Sequence, residues 1–77
     1  MQERIEYGHT FRRDPLFPRS WTSTEGNLVI VTEPDEETSN WKVLVVATDT
    51  VLEMSGEDAE GRAFCVAELF TRQQLTT

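Results

Sequence analysis

The sequence predicts a mainly β fold, a small antiparallel sheet of four or five short strands that curls into a barrel or half-barrel. Short runs of β-branched and other apolar residues recur along the 77-residue chain, and polar, turn-forming segments separate them. A chain of this length forms one domain, residues 1–77, and buries about 60% of the surface that its unfolded form exposes. Domains this small are usually reinforced by a disulfide, a metal or a partner.

The first 22 residues have no clear hydrophobic period. Residues 5–11 suggest a short edge strand, and residues 15–18, Pro-Leu-Phe-Pro, then form an irregular connector because proline lacks the backbone N–H. Two interpretations stay open for this region. Either the apolar pair of the connector folds with Trp21 over one end of the core, or residues 1–22 form a partly irregular N-terminal arm.

Three predicted strands supply the core. Residues 20–27 are rich in turn formers, and residues 27–32 then form a strand through Leu-Val-Ile-Val. A polar loop with four acids, residues 33–40, joins it as a hairpin to the most apolar run of the chain, residues 41–48. Residues 50–54 continue as the third strand.

The segment from Ser55 to Gln74 has two interpretations. In the preferred one, residues 58–61 are a hairpin turn, residues 62–70 are a strand, and a short C-terminal helix begins at the capping pattern of residues 71–74. In the alternative, an α+β fold, a meander sheet packs against one helix over about residues 57–74, with a stripe of apolar residues facing the sheet. Gly61 inside a helix would cost about 1 kcal/mol relative to Ala, which favours the strand.

Charge and composition limit the function. The net charge is −7; residues 1–19 contribute +1 (four Arg, three acids) and residues 20–77 contribute −8 (three bases, eleven acids). An acidic body repels phosphate backbones at long range, so nucleic-acid binding is disfavoured. The sequence shows neither a secretory signal nor a membrane-length apolar run, which together with a single cysteine predicts a cytoplasmic protein.

The residues needed for catalysis or metal binding are scarce. His9 is the only histidine and is expected at the surface, and Cys65 is the only cysteine and is expected in the core. One histidine and one cysteine cannot supply the usual three or four zinc ligands. Phosphate-cradling glycine loops and nucleophile motifs are absent from the sequence. We therefore predict no enzymatic activity, no cofactor, no metal and no small-molecule substrate.

Two surfaces are candidates for binding. The first is an N-terminal set of aromatic and arginine side chains, the types that most often anchor protein interfaces. Its members are Tyr7, Phe11, Arg12, Arg13, Phe17, Arg19 and Trp21. The second is an acidic surface on the loop between the first two core strands, composed of Glu33, Asp35, Glu36 and Glu37.

These observations predict a small acidic module that acts through protein–protein contact or self-association as a homodimer. One alternative is a nucleic-acid-associated protein, since the N-terminal aromatic and arginine residues could stack on single-stranded bases. Another is an acidic mimic of nucleic acid, whose carboxylates would occupy the basic groove of a partner.

Overall fold

The computed structural model describes residues 2–26, 28–37 and 39–76 and shows an α+β fold. Six strands form one antiparallel meander sheet in the order β1-β2-β3-β4-β5-β6, and one C-terminal helix packs against it. The strands are β1 (Glu3–Glu6), β2 (His9–Arg13), β3 (Ser20–Ser23), β4 (Val29–Thr32), β5 (Trp41–Val45) and β6 (Thr50–Met54). The helix is α1 (Ala59–Thr76). No helix in the part of the chain described here is long and apolar enough to cross a membrane.

The predicted barrel is wrong, because the sheet stays open. The helix contacts both edge strands, β1 and β6, as well as β4 and β5, so the sheet curves around α1 and its edges do not meet. The α+β alternative, a meander with one covering helix, is confirmed, with six strands instead of the four or five expected.

The N-terminal segment is a β-hairpin. Strands β1 and β2 pair with Glu6 opposite His9, which leaves Tyr7 and Gly8 as a two-residue turn. Both turn residues have positive φ, 54° and 83°, as the tight turn that matches strand twist requires. Regular structure therefore begins at Glu3, well before the connector at residues 15–18.

The three predicted core strands are confirmed as β4, β5 and β6. Val29 and Val31 of β4 lie opposite Val45 and Val43 of β5, and all four are buried against the helix. The turn-rich segment before them also contains β3, a strand that the sequence did not predict, and the turn residue Asn27 lies outside the described residues.

The predicted strand over residues 62–70 is wrong, because this segment is the middle of α1. Helical spacing places Ala59, Ala63 and Ala67 on the buried side together with Phe64, and this burial outweighs the weak helix propensities of the segment. A contact with Asp58 explains why residue 61 is a glycine. A Cβ at this position would come within 2.5 Å of the carboxylate of Asp58, the residue that precedes the helix.

The interface between sheet and helix is apolar on one side and charged on the other. Over β4 and β5 it is formed by valines, and Phe64 lies edge-on to Phe11, with ring centroids 5.0 Å apart. Over β1, the guanidinium of Arg4 lies 4.2 Å from the ring centroid of Phe64 and pairs with Glu6 at 2.8 Å and Glu60 at 3.5 Å. The N-terminal hairpin is therefore held to the helix by the stacked Arg4 and its ion pair with Glu60.

Candidate interaction site

Two neighbouring apolar side chains are exposed in the β2–β3 tip, defined as residues 14–19. Leu16 is 82% exposed and Phe17 is 64% exposed. Side chains of this size usually leave water when a protein folds, so two neighbours that remain exposed mark a candidate contact surface.

The backbone of the tip is fixed by hydrogen bonds. The N–H of Asp14 donates to the carbonyl of Ser20 at 2.9 Å, and the N–H of Ser20 donates to the carbonyl of Phe17 at 2.8 Å. The carboxylate of Asp14 accepts from the N–H of Leu16 at 2.8 Å, an Asx turn. Two prolines further restrict the loop. The tip therefore presents its apolar pair in one preformed conformation.

A cluster at the base of the tip ties it to the sheet. The indole Nε1 of Trp21 donates to the carboxylate of Glu33 at 2.6 Å, and the guanidinium of Arg13 lies 3.5 Å from the same carboxylate. Arg13 also lies over the Trp21 ring, 4.7 Å from its centroid. The N–H of Glu33 in turn donates to the carbonyl of Arg19 at 2.8 Å.

The structure divides the predicted aromatic and arginine set. Phe11 and Trp21 are buried in the core, 0% and 5% exposed. Arg13 belongs to the cluster at the base of the tip, and Arg12 pairs with Glu3 across β1 and β2 at 2.9 Å. The interpretation that the connector folds over the core holds for Trp21 and is wrong for the apolar pair of the tip, which points into solvent.

The remaining predicted residues are exposed. Tyr7 lies in the β1–β2 turn, 57% exposed, with its hydroxyl 3.5 Å from the carbonyl of Gly61. Phe17 and Arg19 lie together in the tip. Arg19 makes no ion pair with any residue in the described part of the chain, unlike Arg12 and Arg13.

The tip and the predicted acidic surface meet at Arg19. One open depression is lined by Arg19 together with Asp35, Glu36 and Glu37. Glu33, predicted as part of the acidic surface, is instead half-buried and held by Trp21 and Arg13. A second depression, lined by the apolar pair, Ser20 and Thr32, joins the tip to the sheet face that the helix leaves uncovered.

Sequence reasoning missed a charged cluster between β2 and the helix. The sequence predicts His9 at the surface, but its side chain is only 17% exposed and lies between two carboxylates, 3.3 Å from Glu25 and 3.4 Å from Glu68. The side chain of Glu68 is 4% exposed and also pairs with Arg72. The spacing of His9 and Phe11 is the signal in the sequence that indicates burial of His9, because residues two apart lie on the same face of β2 and Phe11 is buried.

No group of three or more His, Cys, Asp or Glu suited to a metal ion occurs within residues 2–26, 28–37 and 39–76. Cys65 is partly buried on the helix. Comparison of the chain with protein-family models, with curated protein sequences and with solved structures found no match.

Proposed function

We propose that this protein is a small, non-enzymatic module that binds another protein through the β2–β3 tip. Leu16 and Phe17 serve as apolar anchors, and Arg19 serves as the charged anchor beside them. The observation that carries the proposal is the exposure of the two apolar side chains, 82% and 64%, on a loop held by backbone hydrogen bonds.

The fixed backbone supports a role in binding. Association loses affinity when loops must become ordered, at about 0.5 to 1.5 kcal/mol for each immobilised side chain with many rotamers. The anchor side chains still lose rotamer freedom on binding, but the backbone of the tip needs little further ordering, because its conformation is already set by Asp14, Ser20 and two prolines. Hot spots of protein interfaces are compact clusters of large side chains, and the tip has this form.

The guanidinium of Arg19 indicates the chemistry of the partner. Arg19 has no carboxylate partner within the described residues, while the neighbouring loop presents Glu36 and Glu37. We therefore expect an apolar socket on the partner, with a carboxylate on one side and a basic group on the other. Pairs of opposite charge across an interface set the orientation of the partners and the association rate more than the affinity.

Nucleic-acid binding has less support than protein binding. It would need the aromatic rings for stacking and the arginines for phosphate. Two of the aromatic residues, Phe11 and Trp21, are buried, and Arg12 and Arg13 each have a carboxylate partner. The acidic-mimic alternative rests on Asp35, Glu36 and Glu37 alone, since Glu33 has a structural role.

Affinity capture with matched variants tests the proposal. Three baits are used under the same conditions: the wild-type chain, the double variant Leu16→Ser/Phe17→Ser and the control Leu75→Ser. The control changes an apolar residue that is 51% exposed on the helix. We expect the same set of proteins to bind the wild type and the control. The tip variant should bind them with an affinity at least about 30-fold lower, as removal of a hot spot of about 2 kcal/mol implies. Equal retention by all three baits would refute the assignment of the tip.

A further inference from the structure

The two edges of the sheet differ in how they are protected. An edge strand presents unpaired N–H and C=O groups, and proteins commonly block such edges with charged residues or proline. β1, Glu3–Glu6, carries a charge at three of its four positions. β6, Thr50–Met54, carries one charge in five positions, at Glu53, and contains no proline. Only β1 has the usual protection.

An apolar seam lies beside the unprotected edge. Val51 is 54% exposed on the face of β6 that points away from the helix. On the other face, Leu52 and Met54 pack against the core together with Val66 and Phe70 of α1, and all four are only partly buried. Apolar surface therefore continues from the core to the open edge, where it meets solvent.

We propose that β6 is a self-association edge, which pairs antiparallel with β6 of a second copy of this chain. Two six-stranded sheets would then join into one sheet of twelve strands, with both helices on the same side. Such an isologous contact, in which the same patch meets itself about a two-fold axis, is the commonest form of protein dimer. The contact does not include the β2–β3 tip, so it stands or fails separately from the function proposed above.

The sequence of β6 selects one register for this pairing. A two-fold axis at Leu52 places the two Leu52 side chains opposite each other, Val51 opposite Glu53 of the second copy, and Thr50 opposite Met54 of the second copy. The two Glu53 carboxylates then avoid direct opposition, which would be destabilising. The helix-facing side chains of both strands meet at the joint, so the apolar seam becomes continuous across it.

The second copy fits this edge better than a basic or strongly charged strand would, because the edge itself is nearly uncharged. Each copy nevertheless carries a net charge of −7, which opposes the approach of two identical molecules at long range. Salt screens this repulsion, with a Debye length of about 10 Å at 0.1 M and about 3 Å at 1 M. The proposed dimer should therefore strengthen as salt is raised.

Light scattering after size-exclusion chromatography tests the proposal with one variant on each edge. The wild type should approach twice the 8.8 kDa mass of one chain as protein or salt concentration increases. Val51→Glu places a carboxylate at an exposed edge position, opposite Glu53 of the second copy, so the chain should fold and remain a monomer. Ile5→Glu adds the same charge on β1, where the side chain is 72% exposed, and should still form the dimer.

A cysteine test checks the register. Leu52→Cys in a Cys65→Ala background should form a disulfide-linked dimer on mild oxidation, because the two-fold axis places the new thiols opposite each other. Ile5→Cys in the same background should stay monomeric. A wild-type chain that remains monomeric at every concentration and salt would overturn the proposal. So would a Val51→Glu variant that still forms the dimer, or a dimer that is instead separated by Thr22→Glu in the middle of the uncovered sheet face.

Discussion

Phe64 links most parts of the fold. Its side chain is fully buried on α1, its ring lies 5.0 Å from that of Phe11 and 6.0 Å from that of Trp41, and Arg4 stacks on it at 4.2 Å. The ring therefore joins the helix to β1, β2 and β5. Phe17 is the same residue type in an opposite environment, since it is exposed at the tip.

This pair gives the first prediction. Phe64→Ala should lower the free energy of unfolding by about 3 to 5 kcal/mol, through lost apolar burial and the cavity left behind. Phe17→Ala should change it by less than about 0.5 kcal/mol, because no packing is lost. Urea unfolding followed by tryptophan fluorescence measures both. Similar losses in the two variants would mean that the tip is part of the core.

Glu68 gives the second prediction at this scale. Its carboxylate is 4% exposed and lies beside His9 and Arg72. Glu68→Ala should lower the free energy of unfolding by about 1 to 3 kcal/mol, since two charged or polar partners lose their acceptor. Glu68→Gln keeps an acceptor in place and should cost less. If the alanine variant unfolded at the same urea concentration as the wild type, the cluster would not stabilise the N-terminal hairpin against the helix.

At the scale of the element, the N-terminal hairpin depends on its turn. Tyr7 and Gly8 both have positive φ, and a Cβ added at Gly8 would meet no other atom within 4 Å. A substitution at Gly8 is therefore opposed by backbone conformation and not by a clash.

Gly8→Ala should lower the free energy of unfolding by about 1 to 2 kcal/mol, the cost of holding alanine in the left-handed region. Gly8→Asn should lower it by less, because asparagine tolerates that region better. Thermal unfolding followed by circular dichroism gives the comparison. Alanine and asparagine variants of equal stability would exclude the turn geometry as the cause.

The elements also show what sequence can predict. β4, β5 and β6 follow from apolar runs bounded by polar loops, since local pattern and burial agree there. β1 has a single apolar residue, Ile5, and it is exposed; the strand is held by Arg4 stacking on Phe64, a contact between residues sixty positions apart. Within the helix over residues 59–76, Gly61 and weak helix formers predict a strand locally, and the burial of Ala63 and Ala67, which the sequence alone does not show, decides for helix.

The sequence predicts which residue types the candidate site contains, but it does not predict which of their side chains are exposed. Aromatic and arginine residues near the N-terminus identify the region, and alternation along β2 and β3 then buries Phe11 and Trp21. Leu16 and Phe17 lie in the connection between these strands, where no periodicity decides between burial and exposure. Their exposure depends on tertiary structure, because the helix already fills the inner face of the sheet.

For the whole molecule, the net charge of −7 on 77 residues opposes the compact state through self-repulsion. Added salt weakens the repulsion between distant like charges more than it weakens the ion pairs of Arg4, Arg12 and Arg13, whose charges lie close together. The melting temperature should therefore rise as sodium chloride increases from about 0.1 M to about 1 M. A melting temperature that fell over this range would show that the local ion pairs outweigh the net charge.

Site-specific photo-crosslinking tests whether the β2–β3 tip is the surface that meets a partner. A benzoyl-phenylalanine placed at Phe17 keeps an aromatic ring at the tip, and the same residue placed at Leu75 samples an exposed part of the helix. Irradiation in the cells that make the protein should give a discrete crosslinked product from position 17 and none from position 75. Products from position 75 alone, or from neither position, would contradict the claim.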